Sequence, residues 1–139
     1  MSDYLKQYVE EDTLHKFEQN GKFGFMNQKN EIKVEPVYDE IYEFREGFAW
    51  LRVKGKYGYI DTLGKIVIPL KFDNAASFSE GLAGVWVEDK LGFINKKRNI
   101  VIPPKYQDAL AFENGYSKVK EKNKWYYIDK KGNCVIDCE

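Results

Sequence analysis

The sequence predicts an all-β protein made of tandem antiparallel β-meanders, and two observations support this prediction. A glycine recurs every 34 residues, at Gly24, Gly58 and Gly92, and its aromatic and aliphatic neighbours keep the same step. Aromatic residues make up 16% of the chain, which favours strands with large cross-strand pairs. A fixed period of this length is typical of repeat proteins, whose units bury their apolar faces against one another. We therefore expect the repeats to stack into a curved array.

The second copy shows how one unit is expected to fold. Residues 48–54 alternate in polarity and predict a first strand, and residues 57–61 predict its return across a two-residue hairpin turn. An Asp at the start and a Gly at the end of the second turn predict a type I turn. Residues 66–68 form the predicted third strand, which Pro69 should end because proline donates no ladder hydrogen bond.

The strand glycine requires an explanation, because a glycine inside a strand lowers the stability of the strand. Large side chains flank Gly58 on both sides, as they do its equivalents in the other copies. We expect the missing side chain to let an aromatic ring from a neighbouring strand or unit lie against the backbone.

This period divides the chain into a cap and an array. Residues 1–12 fall outside the sharp repeat and predict an N-terminal cap segment, with Ser2 at the start of a short helix. Residues 13–139 hold about three and a half units. Their expected boundaries lie near 13–46, 47–80, 81–114 and 115–139.

The repeated strings identify a family. In the second unit they are Tyr57-Gly58-Tyr59-Ile60-Asp61, then Gly64-Lys65-Ile66-Val67-Ile68-Pro69, then Phe72-Asp73 and Phe78-Ser79-Glu80-Gly81-Leu82-Ala83. This pattern closely resembles the WG repeat family of bacterial proteins over roughly residues 13 to 136. The resemblance implies a structural or interaction module without catalytic residues, and it provides no family site to transfer.

The chain departs from the family pattern mainly at its two ends. Tyr126 replaces the strand glycine in the last unit, and His15 and Gln19 occupy columns that are apolar in the second unit. Polar residues in terminal copies close a repeat array in water and protect its edge strands from pairing with other molecules.

Composition limits the classes of partner and the compartment. The 22 basic and 22 acidic residues balance, which argues against nucleic-acid binding. The sequence contains neither a signal peptide nor an apolar run long enough for a membrane helix, so we expect a cytoplasmic protein. Cys134 and Cys138 are expected to be free thiols, since a disulfide scaffold would use more cysteines spread through the chain.

Catalysis would require a converging nucleophile, base or acid pair, and the sequence offers none. We interpret His15, the one histidine, as a polar residue of an edge strand. Asp61 and its equivalents occupy a turn position that favours Asx residues, and Glu46 and Glu80 precede turn glycines. One histidine and a terminal cysteine pair do not make a tetrahedral zinc set. We therefore expect no enzyme, metal or cofactor.

A binding surface is the sharper hypothesis. One face of the first strand is apolar in successive copies and predicts core. The other face varies: the column of Trp50 holds Gly84 and Lys118, and the column of Arg52 holds Trp86 and Lys120. Trp50, Trp86, Arg52 and Tyr42 are therefore the predicted binding residues, since aromatic residues and arginine anchor interfaces. The alternative, that the connector covers this face and both tryptophans are core, remains open.

These observations predict a non-enzymatic module that binds another protein, as an adaptor, an inhibitor or an immunity-type protein. The alternative is glycan or cell-envelope binding through the aromatic residues. The lysines that alternate between Lys118 and Lys124 fit a phosphate or an acidic partner, but a charged edge that resists strand pairing explains them more simply.

Overall fold

The computed structural model describes residues 13–139, which form fifteen strands in four antiparallel sheets. Sheet 1 contains β1 (His15–Gln19), β2 (Lys22–Met26) and β3 (Ile32–Tyr38). Sheet 2 contains β4 (Glu40–Ile41), β5 (Phe48–Val53), β6 (Lys56–Asp61) and β7 (Ile66–Phe72). Sheet 3 contains β8 (Asn74–Ala75), β9 (Leu82–Val87), β10 (Lys90–Asn95) and β11 (Ile100–Tyr106). Sheet 4 contains β12 (Asp108–Ala109), β13 (Tyr116–Glu121), β14 (Lys124–Asp129) and β15 (Cys134–Ile136).

The predicted all-β repeat architecture is confirmed, with one added strand in the second, third and fourth units. The connector after a unit contributes a two-residue strand to the sheet of the next unit, so that β4, β8 and β12 each extend a three-stranded meander. Residues 13–139 contain no helix that could cross a membrane. The predicted N-terminal helix falls on residues 1–12 and lies outside the described part of the chain.

The hairpin turns follow the sequence prediction. Asn20 and Gly21 in the first unit, and Lys54 and Gly55 in the second, have positive φ angles between 52° and 80°. Two consecutive residues with positive φ match the twist of the flanking strands, which is why Asn and Gly are favoured there. The lysine in this strained conformation is held by a hydrogen bond from its amide to Asp39, at 2.7 Å.

The prediction that Pro69 ends the third strand is wrong. β7 continues to Phe72 through a bulge. Tyr57 and Tyr59 are two residues apart in β6, but their partners in β7, Phe72 and Ile68, are four residues apart. A proline is tolerated in a bulge, where the ladder hydrogen bonds are already interrupted.

The bulge also corrects the explanation of the strand glycine. A Cβ atom on Gly58 would lie 2.5 Å from the carbonyl oxygen of Ile68, and one on Gly92 would lie 2.6 Å from that of Ile102. The glycine therefore makes room for backbone, not for an aromatic ring. β15 ends at Ile136 before any such bulge, which is why Tyr126 fits in the glycine column of sheet 4.

The core lies between consecutive sheets. We call the face of a sheet that meets the next sheet its forward face, and the opposite face its rear face. In sheet 2 the rear face carries Ala49 and Leu51 and packs against sheet 1, whereas the forward face carries Tyr59 and packs against sheet 3. Sheet 3 meets sheet 4 in the same way through Phe93 and Val119. The interior sheets are thus covered on both faces.

The cysteine prediction is wrong in this structure. Cys134 and Cys138 form a disulfide, which folds the chain back on itself beyond β15. Asp137 between them has a φ of 60°, so the strand direction is already broken there. The disulfide removes the free-thiol argument for a cytoplasmic location, which remains a prediction.

Candidate functional site

The repeated Asx residues have a structural role. The side-chain oxygen of Asp61 accepts hydrogen bonds of 3.0 Å from the amides of Leu63 and Lys65. Asn27, Asn95 and Asp129 make the same pair of bonds in their own units. This confirms the interpretation of these residues as turn caps.

The glutamates before the turn glycines also cap turns, but in the following unit rather than their own. Glu46 accepts hydrogen bonds from the amides of Glu80 and Gly81, at 2.7 and 2.9 Å. The carboxylate of Glu80 binds the next turn in the same way, at Asn114 and Gly115. Successive positive-φ residues present paired amides of this kind to an anion. The result is a carboxylate ladder that joins turns 34 residues apart.

A second clamp joins each connector to the next hairpin. Asp73 accepts hydrogen bonds from the ammonium group of Lys56 and from the amide of Glu88. These two bonds hold the pKa of Asp73 below its ordinary value, and the bonds from Gly115 and Asn114 do the same for Glu80. Carboxylates with a lowered pKa are stabilised as anions. A structural role therefore suits them better than proton transfer does.

The predicted absence of a catalytic or metal site remains a prediction. Across residues 13–139, no group of three or more His, Cys, Asp or Glu side chains could hold a metal ion. His15 is exposed on β1, at the end of the array.

Three of the four predicted binding residues lie together in sheet 2. Tyr42 stacks on Trp50 with ring centroids 5.3 Å apart and planes 3° from parallel. Tyr57, which the sequence analysis did not select, also contacts Trp50, with ring centroids 5.2 Å apart and planes tilted by 57°. Arg52 is paired with Tyr57 across β5 and β6. We call Tyr42, Trp50, Arg52 and Tyr57 the aromatic site.

Trp50 is neither fully exposed nor fully buried, and its role in binding stays a prediction. Trp50 is half-buried and packs against the cluster that contains Tyr59, Ala75 and Phe78, so it contributes to the interface between sheets 2 and 3. Tyr42, in contrast, is 45% exposed and presents the outer end of the stack to solvent. The structure therefore makes Trp50 a support and Tyr42 the exposed ring.

Arg52 has an unusual environment. Its Nε atom is buried and has no hydrogen-bond partner within residues 13–139. Burial raises the pKa of Glu40, but hydrogen bonds from Lys16 and from the Ile41 amide, the charge of Lys16 and, least of all, the charge of Arg52 lower it overall. Glu40 is paired with Arg52 across β4 and β5.

Trp86 does not belong to this site. It lies in β9 of sheet 3, where it is half-buried and packs against the cluster between sheets 3 and 4. It shares the column of Arg52, one sheet further along the array.

In the first unit the column of Trp50 holds Lys16, and a groove lies beside it in sheet 1. The groove has a volume of about 650 Å³ and is lined by Phe25, Ile41 and Phe44, the equivalents of the residues that Trp50 packs against in sheet 2. Lys16 takes the place of the tryptophan and forms an ion pair with Glu40 instead, at 2.7 Å.

The lysines that the sequence analysis interpreted as a charged edge include Lys118 and Lys120 on the forward face of sheet 4, in a strand that is paired with β12 on one side and β14 on the other. Lys118 lies over the rings of Trp125 and Tyr127, at 5.7 and 5.8 Å, and Lys120 lies 6.0 Å from Trp125. The 34-residue columns place these residues opposite to Val119 and Ile128, which face sheet 3. The alternation of lysine and apolar residues along β13 was the sequence signal for this surface.

The comparisons agree with the geometry. The family model described as "WG containing repeat" matches residues 23–57, 57–90 and 92–125, each match covering one glycine-and-bulge strand pair. No curated protein matches the chain significantly. Because the three matches cover most of the chain and coincide with the repeating sheets, the chain belongs to the WG-containing repeat family.

Proposed function

We propose that this chain is a non-enzymatic module that binds another protein through the aromatic site on sheet 2. The observation that carries the proposal is the Tyr42–Trp50 stack. Its two positions hold Ala76 and Gly84 in the next unit, so the scaffold folds without the rings. Rings that the repeat does not require, and that remain partly exposed, are available for a partner.

The chemistry of the site suits a protein partner. Tyrosine, tryptophan and arginine are the residue types most enriched at the energetic centres of protein interfaces. Tyr42 offers a ring whose orientation is already fixed by Trp50, which reduces the side-chain entropy lost on binding. The repeated carboxylates support the non-enzymatic part of the proposal, because Asp61, Glu46 and Asp73 are each engaged in a turn or a clamp.

The unit that follows provides the test variant. Tyr42→Ala combined with Trp50→Gly gives sheet 2 the residues that sheet 3 already carries at Ala76 and Gly84. We expect this variant to keep its circular dichroism spectrum and to lose binding. Leu110→Ala is the matched control, since Leu110 occupies the same column in sheet 4 and is 58% exposed.

The measurement is affinity capture from lysate of the source cell, followed by titration calorimetry with the purified partner. We expect one stoichiometric protein that binds the parent chain and the control but binds the double variant at least about tenfold more weakly. Equal binding by all three chains would place the interface elsewhere. Capture of no protein, with co-sedimentation on insoluble peptidoglycan that requires Tyr42, would favour the glycan alternative.

A further inference from the structure

The forward face of sheet 4 exposes residues whose equivalents are buried in the interior sheets. Ile136 is 50% exposed, whereas its equivalents Ile102 and Ile68 are each 1% exposed. The face also carries Tyr116 and Trp125, which are 46% and 38% exposed. We call Tyr116, Lys118, Lys120, Trp125, Tyr127 and Ile136 the end face.

The end face resembles an interior interface that carries two added charges. The columns of Tyr116, Tyr127 and Ile136 are apolar in sheets 2 and 3, where they meet the next sheet. Lys118 and Lys120 replace Gly84 and Trp86 at its centre. The face therefore retains the shape and apolar rim of a sheet-packing surface, which fits a partner that covers it.

Lys118 and Lys120 have no carboxylate partner in the described part of the chain. Five other lysines in the described chain pair with Asp or Glu, as Lys130 does with Glu80, but Lys118 and Lys120 make no ion pair within residues 13–139. Instead they lie over the faces of Trp125 and Tyr127, where a cation is attracted to the ring. Ammonium groups positioned in this way complement an anion approaching the face.

A second copy of the chain does not supply that anion. Two end faces brought together would place Lys118 and Lys120 against their own copies, which repel. In sheet 1 the rear-face columns of Ala49, Leu51 and Ile60 hold His15, Phe17 and Met26, none of which is a carboxylate. A nucleic acid is also disfavoured, because two lysines neutralise few phosphates.

We propose that the end face binds an acidic protein segment whose carboxylates pair with Lys118 and Lys120 and whose aromatic or aliphatic side chains cover Trp125, Tyr127 and Ile136. This surface is separate from the aromatic site, since it lies on sheet 4 rather than on sheet 2. It gives the module a second docking position, selective for acidic partners.

The test uses Trp125 as its reporter. In a background of Trp50→Phe and Trp86→Phe, Trp125 is the one tryptophan left, and its fluorescence is titrated with a soluble copolymer of Glu and Tyr. We expect saturable binding that is stronger than binding of polyglutamate, because the copolymer also supplies aromatic rings. Absence of a saturable change in a folded sample, shown by circular dichroism, would overturn the proposal.

Charge-reversal variants locate the contact. Lys118→Glu with Lys120→Glu should weaken copolymer binding at least about tenfold, whereas Lys65→Glu with Lys97→Glu, which changes the net charge equally at exposed sites off the face, should change it less than about twofold. Equal weakening in both pairs would indicate general charge attraction and contradict the proposal. Tighter binding of oligothymidylate than of the copolymer would assign the face to nucleic acid and would also overturn it. The copolymer and charge-reversal results do not depend on binding at Tyr42 or Trp50. The end-face proposal and the proposed function can therefore fail independently of each other.

Discussion

Sheets 3 and 4 are built from the same columns of residues, yet they differ in how much of each sheet is covered. Sheet 3 packs against sheet 2 on its rear face and against sheet 4 on its forward face. Sheet 4 keeps the rear-face residues Val119 and Ile128 fully buried but has no sheet on its forward side within residues 13–139.

The rear-face columns of Val119 and Ile128 therefore stay apolar in sheet 4, while its forward-face columns hold Lys118 and Lys120 in place of Gly84 and Trp86. Packing is thus what preserves a column, because an apolar side chain there removes about 25 cal/mol per Å² of apolar surface from water. Where no neighbour packs, the column can carry charge. The comparison teaches that sequence variation in this array follows the contacts of each face rather than the repeat as a whole.

The largest effect is expected in the glycine column. Gly92→Ala should destabilise the protein by about 4 kcal/mol, since the new Cβ would lie 2.6 Å from the carbonyl oxygen of Ile102 and backbone has little room to move. Urea unfolding followed by circular dichroism measures this change. Gly84→Ala in the same sheet is the control, because a Cβ there meets atoms no closer than 3.7 Å and should change stability by less than about 1 kcal/mol.

The glycine column also distinguishes sheet 4, which holds Tyr126 at this position, from sheet 3, which holds Gly92. Tyr126→Ala should leave the strand intact, because no bulged carbonyl faces position 126 in sheet 4. A loss of stability from Gly84→Ala equal to that from Gly92→Ala would show that any added methyl group is harmful, and that the bulge is not the cause.

A smaller effect is expected in the isoleucine column. Ile102→Ala should cost about 3 kcal/mol, because Ile102 is buried between sheets 3 and 4. Ile136→Ala removes the same group from the equivalent position of sheet 4, where it is half-exposed, and should cost about 1 kcal/mol or less. Both values come from the same unfolding assay. Equal costs would mean that the end face is covered in the isolated protein in solution, contrary to the structure.

The smallest effect should come from the carboxylate ladder and should depend on pH. The pKa of Glu80 is lowered by the amides of Gly115 and Asn114, so its contribution to stability is present above the ordinary value of 4.5 and is lost as the pH falls through the folded value. Glu80→Gln should therefore lower the Tm at pH 7 and make much less difference at pH 3. Differential scanning calorimetry at the two pH values measures this.

Glu113→Gln is the control for that experiment. Glu113 is exposed near the same turn, and its side chain accepts no hydrogen bond from the described residues. It should leave the Tm unchanged at both pH values. A Tm difference for Glu80→Gln that is equally large at pH 3 and pH 7 would mean that packing, and not charge, is what the glutamate contributes.

Much of the candidate site was predictable, but not its geometry. Column comparison selected Trp50, Arg52 and Tyr42, and these residues do lie together, because β4 pairs with β5 in the register that brings Tyr42 beside Trp50. The same comparison grouped Trp86 with them, although it lies one sheet further along. It also passed over Tyr57, because a tyrosine in a regular column looks like scaffold.

By itself the sequence determined the features that depend on neighbours a few residues apart. These include the 34-residue period, the family, the positive-φ hairpins such as Asn20-Gly21, and the turn caps at Asp61 and its equivalents. The tertiary structure alone decided which turn Glu46 caps, why Gly58 is a glycine, and how deeply Trp50 is buried. The physical reason is distance along the chain. Local hydrogen bonds are fixed by spacing within one turn, whereas contacts between residues 34 positions apart exist only once the sheets have stacked.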